Sequence, residues 1–141
     1  MELLKQKIEE LLTAGGFDFS VDLDSDSRRV RIFIHDESAE KESLPKLVFD
    51  LDHIVNIMAK KLQLEKISVD VNNYKKERER LITELAKATA RKALLQKEAI
   101  ELPAMNAYER RLVHIELATR PDLKTESIGE GPARRIVIKP L

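Results

Sequence analysis

An arginine and a histidine stand four residues apart in Met105-Asn-Ala-Tyr-Glu-Arg-Arg-Leu-Val-His114. A guanidinium offers a planar fork of donors that fits phosphate oxygens and can stack on a base. An imidazole can stack or donate at neutral pH without carrying a full charge. On a helix, residues four apart lie roughly 40° from each other on one face. Met105, Tyr108, Leu112 and Ile115 recur at helical spacing on the other side. This spacing turns the apolar stripe, Tyr108 included, to a core and sets Arg110 and His114 toward water. Such a pair serves either as a plain solvated face or as a grip on a phosphate and a base. Asn106 with Glu109 three residues on reads as a capping box at the start of the helix. Further along, Gly129-Glu-Gly131 can cradle a phosphate through backbone amides or can simply make a turn. Arg134 and Arg135 follow in a strand, where neighbours point to opposite faces, so only one of them can share a surface with Arg110.

Other chemistries find no footing in the sequence. His35, His53 and His114 lie far apart and lack metal-ligand spacing. No nucleophile–base pattern or phosphate-binding P-loop occurs. Asp50 and Asp52, two apart on a helix, do not face each other. With no cysteine, disulfide and thiolate chemistry are excluded, which suits a reducing cytoplasm. The reading is of a cytoplasmic protein that is not an enzyme and uses no cofactor or metal. No run approaches the eighteen apolar residues of a membrane span, and the acidic, amphipathic start is unlike a signal peptide.

The elements that must hold these residues follow from hydrophobic periodicity. Leu3, Leu4, Ile8, Leu11 and Leu12 mark a helix over residues 2–14, stopped by Gly15-Gly16. Phe17, Phe19, Val21 and Leu23 alternate as a strand, and Val30, Ile32 and Ile34 answer as its hairpin partner across the turn at Asp24–Ser27. Ser43 is placed to cap a helix with Leu44, Leu47, Val48, Leu51, Ile54, Val55, Met58 and Leu62 on one face. Ile67, Val69 and Val71 make a third strand. A charged helix follows over 73–97 with Leu81, Ile82, Leu85, Ala88 and Leu95 inward, studded with basic residues among Glu77, Glu79 and Glu84. These can pair along the helix or form an auxiliary phosphate track. A short strand near 99–102, the Arg/His helix at 105–118 and strands at 123–128 and 134–139 complete the chain. The charge is uneven. Residues 1–72 carry ten Lys and Arg against fifteen Asp and Glu, and residues 73–141 carry fifteen against ten. A basic second half favours a polyanion partner there and not in the first half.

The run from Met105 to His114, then Thr125-Glu-Ser127, then Gly129-Glu-Gly-Pro-Ala-Arg-Arg-Ile-Val-Ile-Lys139, resembles the R-three-H domain of the bacterial Jag family, whose signature is Arg-x-x-x-His. The match is close over about the last forty residues, with several motifs in order. In Jag-like proteins a KH domain comes first. The resemblance implies an α+β chain of three parts: a degenerate type II KH-like module at 1–72, a connecting basic helix at 73–98, and a small R-three-H domain at 99–141. It implies single-stranded RNA or DNA as partner, with RNA favoured, and Arg110, His114, Gly131, Arg134, Arg135 and Lys139 as the binding residues. The KH-like half departs from its family. Alignment on Leu51-Asp52 puts Pro45 and Val48 where the Gly-x-x-Gly loop has its glycines, beside an acidic loop of Asp36, Glu37, Glu40 and Glu42. Glycines there allow close backbone approach to phosphates. Proline and a branched, buried valine do not. This half is expected to have lost its nucleic-acid grip, and docking of a protein partner is the alternative role for it.

Overall fold

A computed structural model describes residues 1–141, apart from the side chain of residue 38. Two units divide the chain, Met1–Lys76 and Glu77–Leu141, each with its own buried cluster.

The first unit follows the expected order helix–strand–strand–helix–strand: α1 (Glu2–Ala14), β1 (Phe19–Asp24), β2 (Arg29–Ile34), α2 (Leu44–Lys61) and β3 (Ser68–Val71). Helix α1 ends at a glycine pair because Gly16 takes φ +76, a left-handed turn that a side chain would strain. The hairpin β1–β2 pairs antiparallel, Val21 opposite Ile32, and β3 joins β2 in parallel, so β2 is central. Burial follows that placement. Val30, Ile32, Val69 and Val71 are sealed, whereas the edge strand β1 alternates half-buried and exposed residues. Leu4, Ile8 and Leu12 of α1 join Val48, Leu51, Val55 and Ala59 of α2 in the same core.

Two details of α2 bear on function. Pro45, Lys46, Leu47 and Val48 form its first turns instead of a loop, and Val48 is 3% exposed. Ser43 stands at the N-cap position but makes no capping bond, contrary to expectation. The chain is already coiled there: Ser43 and Leu44 donate backbone N–H to Glu40 C=O at 3.0 and 2.9 Å, and Ser43 is itself in helical geometry. The extended backbone an N-cap needs is therefore missing.

Helix α3 (Tyr74–Gln96) starts on a carboxylate: Asp70 accepts the backbone N–H groups of Lys75 and Lys76 at 2.9 and 3.3 Å. From Glu77 on, the second unit comprises the rest of α3, β4 (Ile100–Glu101), α4 (Ala107–Leu117), β5 (Leu123–Ile128) and β6 (Arg135–Pro140). Its sheet has the order β4–β6–β5, all antiparallel, with Thr125 opposite Ile138 and Ser127 opposite Ile136. Residues 73–98 do more than connect, because α3 supplies core to this unit. The inward residues are Ile82, Ala86, Thr89, Ala90 and Ala93. Leu81, Leu85, Ala88 and Leu95, expected inside, are exposed. Alanines along the buried side let α3 lie close to its neighbours, and leucines there would overfill the space.

Candidate nucleic-acid interface

Helix α4 lies against β5 and β6 with α3 alongside. Its capping box forms as expected: Glu109 N–H donates to Asn106 Oδ1 at 2.8 Å, and Asn106 N–H donates to Glu109 Oε1 at 3.3 Å. The same Glu109 carboxylate accepts from Arg78 Nε of α3 at 2.6 Å. Farther along, Lys87 of α3 reaches Glu116 of α4 at 3.5 Å. Both contacts advance together along the chain, so the two helices run in the same direction.

These pairs turn α4 about its axis from the expected setting. The residues that enter the core are Glu109, Val113 and Leu117, with Met105 ahead of the helix. Glu109 can be buried because its charge is met by Arg78 and a backbone N–H. Tyr108 and Ile115 come to the surface, and the Tyr108 hydroxyl donates to Glu79 at 2.5 Å. The placement of Tyr108 in the core is thereby corrected.

The turn carries Arg110 and His114 to the β5 flank of α4, where both are half-buried and not fully in water. His114 sits over two hydroxyls of β5, with Nδ1 2.7 Å from Thr125 Oγ1 and Nε2 3.2 Å from Ser127 Oγ. Thr125 and Ser127 are two apart on a strand and so share a face. Both ring nitrogens are occupied, which leaves the ring itself to meet a ligand. Burial, and then the positive charge of Arg110, hold its pKa below the ordinary 6.5. An imidazole kept neutral in the folded state is protonated first in the unfolded chain as the pH falls through 6.5. Stability from His114 is therefore full above that value and is lost as the pH drops toward the lower folded pKa. Titration of the ring by NMR should give a midpoint below 6.5, and Arg110→Ala should move it upward. A midpoint unmoved by Arg110→Ala would mean that the arginine does not act on the ring.

Arg110 directs Nη1 to the Met105 carbonyl at 2.5 Å, and no carboxylate pairs with it among the described residues. Arg110 lines a concavity of about 520 Å3 together with residues 104–107, Gly131, Pro132 and Glu109, whose carboxylate is held by Arg78. Gly131 has φ +55 and open space where a Cβ would stand. Gly129 answers to a different demand, since at φ +83 its Cβ would fall 2.8 Å from the Ala133 carbonyl oxygen. The Arg134 carbonyl accepts from Met105 N–H at 3.2 Å, and Arg134 Nη1 donates to Gly129 C=O at 3.0 Å.

Strand alternation divides the remaining residues. Arg134 stands just ahead of β6 in extended backbone, with the parity of Ile136 and Ile138, which face α4, whereas Arg135 and Lys139 lie on the reverse of the sheet. There Arg135 pairs with Glu101 at 2.9 Å and Lys139 with Glu126 at 2.9 Å. Arg110, His114, Gly131 and Arg134 are brought to one side, and Arg135 and Lys139 are not. Thr125 and Ser127, part of the quoted motif but assigned no role from sequence, are the hydroxyls under His114. Their signal was two hydroxyl residues at alternate positions of a strand whose same-face neighbour is the buried Leu123.

Residues 80–140 match the family described as the R-three-H domain. The match falls within the second unit and spans nearly all of it. The chain is similar to three curated relatives that share one name, RNA-binding protein KhpB. Identity is 32% over 90 residues to that of Clostridium symbiosum, covering 62% of this chain and 40% of the relative. It is 35% over 78 residues to that of Bacillus subtilis, covering 54% and 38%. It is 33% over 72 residues to that of Lactiplantibacillus plantarum, covering 51% and 22%. The chain thus spans less than half the length of the relatives it matches. No helix among the described residues is long and apolar enough to cross a membrane.

Proposed function

We propose that the chain binds single-stranded nucleic acid, RNA in preference, without catalysing a reaction, and does so in the cytoplasm. The binding side of the R-three-H domain is the α4 flank with the Gly131 turn. Arg110 grips a phosphate, the His114 ring offers a stacking surface, and Gly131 with Arg134 completes the groove. One observation carries this reading. On this side two arginines have no carboxylate partner among the described residues, while across the sheet Arg135 and Lys139 are matched by Glu101 and Glu126. A guanidinium without a carboxylate keeps donors to spare for an anion. The names of the relatives support RNA as the ligand.

The test is titration of a labelled single-stranded oligonucleotide at several salt concentrations. With about two to four phosphates contacted, log K against log salt should slope at roughly −1.5 to −3. A slope near zero would remove phosphate contact as the source of affinity.

A second reading concerns the first unit, whose element order fits a KH-like module without its Gly-x-x-Gly loop. Phe49 of α2 is 73% exposed, and Ile57 and Ile54 are exposed on the same helix about 80° and 140° round from it. Exposed apolar side chains of this size suit a protein partner better than phosphates. The same titration separates the two, because an adaptor would bind the oligonucleotide weakly at every salt concentration.

A further inference from the structure

Leu81, Leu85, Ala88, Lys92 and Leu95 follow one another along α3 at spacings of four, three, four and three residues. All five are exposed, with Leu81 at 48%, Leu85 at 38% and Leu95 at 84%. They lie about a third of a turn from the buried Ile82–Ala93 side, so the domain's own core leaves them uncovered. This is the seven-residue repeat of a coiled-coil seam, which keeps one stripe facing a partner helix. A helix that only skimmed the surface of its own domain would have no need of it.

We propose that this seam is a self-association surface on which α3 of a second copy packs in the antiparallel sense. The positions flanking the seam decide the occupant. On one flank Ile82 and Thr89 are buried in the domain and unavailable. The other flank carries Glu84 and, one heptad later, Arg91. In an antiparallel pair Leu85 meets the partner's Ala88, and Leu81 meets the partner's Lys92. Glu84 then stands across from the partner's Arg91, and symmetry repeats the pair. The Lys92 stem can cover a leucine while its ammonium stays in water. In a parallel pair Lys92 would instead face the partner's Lys92, a repulsive contact within the seam. Arg91 has no carboxylate partner among the described residues, and Glu84 shares Arg80 with Glu77. Both flanking charges can therefore engage a second copy. The seam is only two heptads long, too short for two free peptides to pair. Here the helix is already folded by its own core, so association need not supply that ordering. An interface below about 1,200 Å2 is expected, and with it a weak, concentration-dependent dimer.

Sedimentation equilibrium of the full chain without nucleic acid should show monomer and dimer in exchange over the micromolar range. Leu85→Glu should raise the dissociation constant at least about tenfold, since it puts an unpaired charge in the seam. Glu84→Arg and Arg91→Glu should each weaken the dimer, and together they should restore it. These two residues are exposed, so that comparison does not depend on whether the Leu85 variant folds well. Because the chain has no cysteine, single cysteines report orientation without background. A mixture of Leu85→Cys and Ala88→Cys chains should crosslink to each other under mild oxidation, and Leu95→Cys should not crosslink to itself. A chain that stays monomeric at every concentration, a dimer indifferent to the charge reversals, or a ready Leu95→Cys homodimer each overturns the proposal.

Discussion

Replacing Arg110 by glutamate is expected to lower affinity for a single-stranded RNA by about ten- to a hundredfold. A hydrogen bond to a charged group contributes about 1.5–3 kcal/mol, and each 1.4 kcal/mol is a factor of ten in affinity. The fold should survive. Arg110 is half-buried, and its guanidinium donates to the Met105 carbonyl. Loss of a single such bond costs about 1 kcal/mol, so the melting temperature should fall by only a few degrees. Arg135→Ala and Lys139→Ala are the matched controls. They too remove basic residues of the same domain, but from the reverse of the sheet, where Glu101 and Glu126 already hold them. Their effect on affinity should stay within about twofold. Equal losses from Arg110 and the two controls would mean that diffuse charge, and not the α4 flank, holds the ligand. His114 is a poorer probe. Truncation there strips two hydrogen bonds from the helix–strand contact as well as the ring, so lost binding and lost structure would arrive together.

The way α4 is set explains which parts of this site could be read from sequence. Helix existence, its capping box and its three strand neighbours follow from short-range rules, and they stand where the periodicity placed them. The rotation of α4 does not follow from such rules. A stripe of Met105, Tyr108, Leu112 and Ile115 and a stripe of Met105, Glu109, Val113 and Leu117 are both at helical spacing. Hydrophobicity alone prefers the first, because it counts Glu109 as a surface residue. What reverses the choice is Arg78, thirty-one residues away, which meets the Glu109 charge inside the domain. A long-range ion pair leaves no mark on local pattern. The same holds for α3, where Leu81, Leu85, Ala88 and Leu95 read as core along with Ile82. Close approach to neighbouring elements selects Ala86, Ala90 and Ala93 instead, and the leucines are turned out. Strand parity, by contrast, was legible for Arg134 and Arg135, since alternation is fixed by the backbone itself.

The largest separation of function is expected between the two units. Cutting after Lys76 keeps Tyr74 with the first core and leaves the Asp70 contacts to Lys75 and Lys76 intact. The second fragment loses only the first turn of α3. Residues 77–141 carry thirteen Lys and Arg against ten Asp and Glu, and residues 1–76 carry twelve against fifteen. In the first fragment the positions aligned with the phosphate-binding loop are the first turns of α2, with Val48 in the core. No glycine backbone is presented there, and proline at 45 has no N–H to offer. Net charge and local geometry both oppose a polyanion. Residues 77–141 should therefore bind a labelled single strand within about threefold of the full chain, and residues 1–76 should show no binding at ordinary salt. Circular dichroism of each fragment must first show helix and cooperative melting, because the argument concerns folded units. In the full chain, Lys46→Glu should leave affinity unchanged while Arg110→Glu depresses it. Binding by the folded first fragment, or equal damage from the two substitutions, would place a working phosphate grip on α2 and undo the assignment of RNA contact to the R-three-H domain alone.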